Sequence, residues 1–348
     1  MHYVGVDLAW GQRRPTGLAV LDSDGQLRHL SHEVDENALL ATLAPYVEGP
    51  CLVGFDASLV VVNPTGNRPC EAALNRDFAR FDAGAHPSNT SRREFVDGSR
   101  GARLATRLGL DMDPASRSSR RAIEVYPHPA TVALFRLGRT LKYKDKTGRP
   151  LHLLREEMLR LVTALEGLRT ASPALHLTGN THWRDLVEKV DGARRKSELR
   201  RVEDEVDAVV CAYVALFAER RPELTTTYGD YATGYIVTPT LPPDLRPTPR
   251  QPTGDGPEPG PTGDGPAPST GPVPAPEPVD RDPVRHAVRD YAVQQPGLRE
   301  ATDAFVDLLT TLIDDAGINY LSVTGRAKTV ASFAAKADRR VAGVPVFS

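Results

Sequence analysis

Short apolar runs that close on a single acid mark this chain. Val4-Gly5-Val6 ends on Asp7, and Cys51-Leu52-Val53-Gly54-Phe55 ends on Asp56. Runs of this length predict strands at residues 2–8 and 51–56, with two more at 17–22 and 26–34. Asp22-Ser23-Asp24-Gly25, between the latter two, has hairpin-turn chemistry. Arg121 to Pro127, which contains Glu124, reads as another strand-like run. Apolar spacing of three and four predicts helices over 37–47, 98–109, 151–168, 183–193 and 197–219. The segments around Asn63-Pro64-Thr65-Gly66 and Pro87-Ser88-Asn89-Thr90 read as a loop that borders a site or is a plain insertion. Three antiparallel strands followed by αβ units predict an α/β fold, a mixed five-stranded sheet flanked by helices.

The pattern then breaks. From Pro239 to Val279, 15 of 41 residues are Pro and 6 are Gly, and Thr253-Gly254-Asp255-Gly256-Pro257 recurs as Thr262-Gly263-Asp264-Gly265-Pro266. Such a stretch predicts an extended spacer. The expected organisation is therefore a domain at 1–238, a linker at 239–279 and a short helical fragment at 280–348, with Phe305, Leu308, Leu309 and Leu312 on one helical side.

Composition narrows the class. With 40% apolar and 25% charged residues the chain can build a core, and no apolar stretch approaches the length of a membrane span. No leader is read at the start, so a cytoplasmic protein is expected. Cys51, Cys70 and Cys211 are far apart, with no C-x-x-C, so buried thiols are expected rather than zinc. The formal net charge is -2, but Arg92 to Arg149 carries 14 Lys and Arg against 6 acids. A basic segment around Glu124 is a layout that admits a polyanion, and equally an ordinary solvated surface in an Arg-rich chain.

An ionised carboxylate at the rim of an apolar strand needs a cation or donors. Asp7 alone reads equally well as a turn residue. If the two strands are parallel neighbours, about 5 Å apart, Asp7 and Asp56 leave one sheet edge within reach of a single ion. Glu124 is a third acid. Asp204 and Asp207, three residues apart on one helical face near the helix start, supply a fourth, with Asp204 as the substitute for Asp207.

Val4-Gly5-Val6-Asp7, Val53-Gly54-Phe55-Asp56, Glu124-Val125-Tyr126-Pro127-His128-Pro129, Asp207-Ala208-Val209-Val210-Cys211-Ala212-Tyr213 and Gly229-Asp230 to Gly234-Tyr235-Ile236-Val237 run in order over residues 1 to about 240. In these the chain resembles a bacterial domain-of-unknown-function family described as predicted RNase H-fold nucleases. The resemblance implies an RNase H-like sheet and a Mg2+- or Mn2+-dependent nuclease acting on nucleic acid. Asp7, Asp56, Glu124 and Asp207 would be its metal ligands, since two-metal phosphodiester chemistry uses hard carboxylates. Arg121, His128, Lys142, Lys144 and Lys196 are the candidate phosphate contacts. His128 also reads as a structural turn residue, Tyr143 as part of a solvated basic turn, and Arg194, Arg195 and Lys196 as helix surface.

Val323 to Lys336 is similar to the opening of a RelA/SpoT-type alarmone synthetase domain. By that resemblance Arg326 would stack on adenine, while Lys328 and Lys336 would meet phosphates. The family's metal aspartate does not follow in Val341 to Ser348, so synthetase activity is not expected. The helices of this fragment are instead expected to pack on the first domain or to self-associate. Two alternatives to the nuclease remain: an actin-like ATPase or small-molecule kinase, with Gly11 to Gly17 cradling phosphate, and a non-catalytic regulatory binder.

Overall fold

The central strand β1, His2–Asp7, buries the successive residues Tyr3 and Val4, which point to opposite faces, and is therefore sandwiched. In this computed structural model, which describes residues 1–8, 15–96 and 98–249, β2 is Thr16–Leu21, β3 Leu27–Glu33, α1 Glu36–Val47, β4 Cys51–Phe55, α2 Pro69–Phe78, α3 Arg100–Arg107 and β5 Arg120–Glu124. Beyond these come α4 Pro127–Leu134, α5 Leu151–Gly167, α6 Thr181–Asp191, α7 Lys196–Arg220, β6 Thr225–Asp230 and β7 Gly234–Pro239. The chain divides at Asp255 into two units, and the described residues belong to the first. Gly11 to Arg14, most of the expected linker, and the fragment with Arg326, Lys328 and Lys336 lie outside the described residues.

The sheet has the order β3-β2-β1-β4-β5. β1, β2 and β3 pair antiparallel, and β4 and β5 add parallel strands beside β1. This is the mixed α/β arrangement the sequence predicts. β6 and β7 form a separate hairpin tied to the end of β5 by a bridge between Val125 and Val237.

The 25-residue α7 is buried on every side from Val206 to Leu216, as its near-continuous apolar stretch requires. Three glycines seat it. A Cβ on Gly5 would stand 1.9 Å from the Ala208 carbonyl oxygen, one on Gly17 1.9 Å from that of Asp204, and one on Gly54 2.7 Å from that of Cys211. Gly5 and Gly54 are ladder partners, so a smooth trough crosses β2, β1 and β4.

Two helices fall where the sequence pattern reads loop. α2 opens with Arg68-Pro69-Cys70-Glu71, a proline at its first position and the Arg68 N–H capped by the Glu71 carboxylate at 2.9 Å, and it buries Cys70, Leu74 and Phe78. α4 begins at Pro127, so Tyr126-Pro127-His128-Pro129 is a helix start rather than a turn. The chain also stays packed beyond residue 238: β7 runs to Pro239, Leu245 is buried beside Phe81 and Val132, and Thr248 donates its N–H to the Gly138 carbonyl.

Candidate functional site

Register brings the first two acids together. Val6 pairs with Phe55 in the parallel ladder, so Asp7 and Asp56 follow as neighbours at one edge, and the Asp56 N–H donates to the Val6 carbonyl at 2.9 Å. The period of two along a strand puts Asp7 on the face of Gly5 and Asp56 on the face of Gly54, the face that α7 covers. Because α7 touches Gly17 at Asp204 and Gly5 at Ala208, Asp207 arrives over the same edge. Its position is well inside α7, which starts at Lys196, rather than in the first turn.

The electrostatics follow from this crowding. Burial pushes the Asp7 carboxyl well above its usual range. Lys144 opposes the shift, and Asp56, Asp207 and Asp204 add to it. Burial likewise pushes Asp56 up to about 7, with Lys144 and a hydrogen bond from Asp7 pulling it back. The pair thus holds a proton that two isolated carboxyls would release. Glu203, one helical turn before Asp207, is pushed up to about 7, mainly by burial.

Residues 142–144 insert into this cluster. The fully buried Asp207 accepts the Tyr143 hydroxyl at Oδ1, 2.6 Å, and its Oδ2 stands 2.6 Å from Lys144 Nζ, with no aligned hydrogen bond. Lys144 also faces Glu203 at 4.0 Å. The loop is anchored on both sides, by the Lys142 N–H on Glu157 at 2.8 Å and by Arg149 Nη1 on the Lys144 carbonyl at 2.8 Å. Tyr143 is buried, not solvated.

Glu124 is turned elsewhere. It pairs with Phe55 rather than Asp56, and a one-residue offset in register sends its side chain to the opposite face. There Arg68 Nη2 and Nη1 bind its two oxygens at 2.5 and 2.9 Å, and the Leu59 N–H donates at 2.9 Å. Arg68, only 1% exposed, also holds Glu71 at 2.9 Å. Arg68 is the main residue that sequence reasoning missed. The Arg-Pro-x-Glu cap was its available signal.

The expected phosphate contacts scatter, apart from Lys144. Arg121 lies near the start of β5, far along the strand from Glu124, and pairs with Glu219 at 2.5 Å. Lys142 pairs with Asp82 at 3.0 Å, and Lys196 faces Asp145 at 3.5 Å. His128 contacts the Thr140 hydroxyl through Nδ1 at 3.1 Å and packs on the Tyr126 and Tyr143 rings. Burial, then Lys144 and its basic neighbours, push His128 well below its ordinary pKa, so it is a neutral packing residue. Much of the basic 92–149 segment is likewise spent on internal pairs: Arg100 and Arg107 on Glu36, Arg136 on Asp244, Arg139 on Asp82.

Among the described residues no three His, Cys, Asp or Glu side chains are already spaced to hold a metal ion, and no helix is long and apolar enough to cross a membrane. What the site offers is a proton-sharing carboxyl pair, a buried third carboxylate and one ammonium inserted among them. No curated protein and no solved structure matches the chain. Residues 5–233, which include Asp7, Asp56, Lys144 and Asp207, match the family described as protein of unknown function (DUF429), and the chain belongs to that family.

Proposed function

We propose that the chain is a Mg2+- or Mn2+-dependent nuclease that hydrolyses phosphodiester bonds, with Asp7, Asp56 and Asp207 as its metal-binding acids. The observation that carries this reading is the convergence of Asp7 and Asp56 from adjacent parallel strands, under α7, at a spot where Asp207 already requires a cation. The donor set is all hard oxygen, which suits these ions and not soft ones. The same spot now takes the Lys144 ammonium, so loading requires that ammonium to leave Asp207. Lys144 is then free to meet the phosphate that approaches the acids. A bound ion would polarise the phosphoryl oxygen and lower the pKa of an attacking water. The protein's own task is to release the proton shared by Asp7 and Asp56 and to keep Asp207 oriented through the Tyr143 hydroxyl. Glu124 is excluded from this ligand set because Arg68 neutralises it.

The test is cleavage of labelled single- and double-stranded DNA and RNA with Mg2+, Mn2+ or EDTA. Metal-dependent cleavage is expected, falling by about 100-fold or more in Asp7→Asn and Asp56→Asn, the scale of losing a charge that stabilises the transition state. One observation favours a second reading, a non-catalytic binder: Lys144 and Arg68 already supply cations to Asp207 and Glu124. Nucleic-acid binding without cleavage under every metal condition would select it.

A further inference from the structure

A second site lies on the far side of α7. Glu198, Arg201, Val202 and Glu205 follow the three-and-four spacing of one helical face, and at about 3.6 residues per turn that face is opposite Asp207. With His32, Lys189 and the turn after α6, they line an open cavity of about 520 Å³. Its floor is apolar, since Ala193 and Val202 are both buried.

The two acids of the cavity are committed. Glu198 Oε2 accepts the N–H groups of Arg194 and Arg195 at 2.7 and 3.1 Å, and Oε1 accepts Arg195 Nε at 3.2 Å. Glu205, 4% exposed, is clasped by His32 Nδ1 at 2.5 Å and His182 Nε2 at 3.3 Å. The side chains of Lys189, Arg194 and Arg201, by contrast, have no acidic partner among the described residues. Three cations around an apolar floor, with the local acids already paired, leave a surplus of positive charge facing the cavity.

We propose that this cavity binds a small organic phosphate of nucleotide size. The guanidinium groups of Arg194 and Arg201 offer paired donors to phosphate oxygens, Lys189 adds a point charge, and Ala193 and Val202 receive the apolar part of the ligand. The volume falls within the roughly 300–1,000 Å³ of small-molecule sites. A doubly charged phosphomonoester matches three cations better than a lone carboxylate does. The inference is independent of the nuclease reading, because Lys189, Arg194 and Arg201 make no ion pair with Asp7, Asp56 or Asp207, whose cation is Lys144.

Isothermal titration of the full-length protein with AMP, ribose 5-phosphate, citrate, a single-stranded oligonucleotide and adenosine tests it. AMP or ribose 5-phosphate is expected to bind and adenosine is not. The double variant Arg194→Ala/Arg201→Ala should weaken phosphate binding by about 100-fold, roughly tenfold per charge lost. Asp7→Asn should leave it unchanged. Both arginines are exposed, so the melting temperature should stay within about 1 °C of wild type. If the double variant does not fold, Lys189→Gln replaces it with a tenfold loss expected. Failure of both phosphates to bind, unchanged affinity in the variants, or binding of citrate or the oligonucleotide alone would overturn the assignment.

Discussion

Lys144 puts its ammonium among acids that burial would otherwise hold protonated, and this makes it the residue on which the site's charge balance turns. It lowers both Asp7 and Asp56, and although burial alone would lower its own pKa, Asp207 and the other nearby acids raise it. Tyr143 next to it fixes Asp207 with one buried hydrogen bond. Tyr143→Phe should cost about 1–3 kcal/mol, because the carboxylate loses its donor without gaining another. Chemical denaturation reads that loss directly. Arg68→Met is a harsher change. It strands Glu71 and Glu124 in the interior, and about 3–5 kcal/mol should vanish from the unfolding free energy. Asp7→Asn, which replaces an already proton-sharing carboxyl with a neutral amide, should leave stability unchanged or higher. If Arg68→Met proves as mild as Asp7→Asn, the assignment of Glu124 to a structural pair is wrong.

At the scale of elements, everything at the site depends on how closely α7 lies on the sheet. Gly5, Gly17 and Gly54 permit that approach, and they do so through missing side chains rather than unusual backbone angles. Gly5→Ala drives a methyl into the backbone of Ala208, so the loss should reach or exceed the upper end of the about 1–3 kcal/mol range for overpacking. Gly49→Ala, with nothing within 4 Å of the added carbon, is the matched control and should change the melting temperature little. Equal effects at the two positions would refute the close-seating account. The strands and the long helices were legible because their apolar periodicity is strong. α2 and α4 were not, since each is short and opens on a proline whose helix-starting role looks like a turn until the following residues are seen to be buried.

At the scale of the whole molecule, the raised acids make stability depend on pH. Asp56 and Glu203 titrate near 7 when folded, and Asp7 is also raised. Between about pH 4 and pH 7 the folded protein therefore holds protons that the unfolded chain has released, and stability falls as pH rises through this window. His128 acts in the opposite sense: its folded pKa is depressed, so stability falls as pH drops below its ordinary value. Comparison with Asp56→Asn separates the two effects. The variant should be more stable than wild type at pH 8, by at most about 4 kcal/mol of unfolding free energy at about 1.4 per pH unit, and converge with it near pH 4. Under the nuclease reading, Mg2+ should raise the wild-type melting temperature more at pH 8 than at pH 5.5, since binding must first displace the shared proton. A difference between wild type and variant that does not vary with pH would contradict the raised Asp56.

The sequence by itself determined the strands of the central sheet, their order of appearance, the long buried helix, and the placing of Asp7 and Asp56 at strand ends, because periodicity and short apolar runs are local properties. Only the tertiary structure decided which acids meet. The offset that pairs Glu124 with Phe55 turns it towards Arg68, and the depth at which α7 sits carries Asp207 to Lys144. Register and helix seating are sums of contacts between distant segments, and no local pattern encodes a one-residue shift that reverses the face of a side chain.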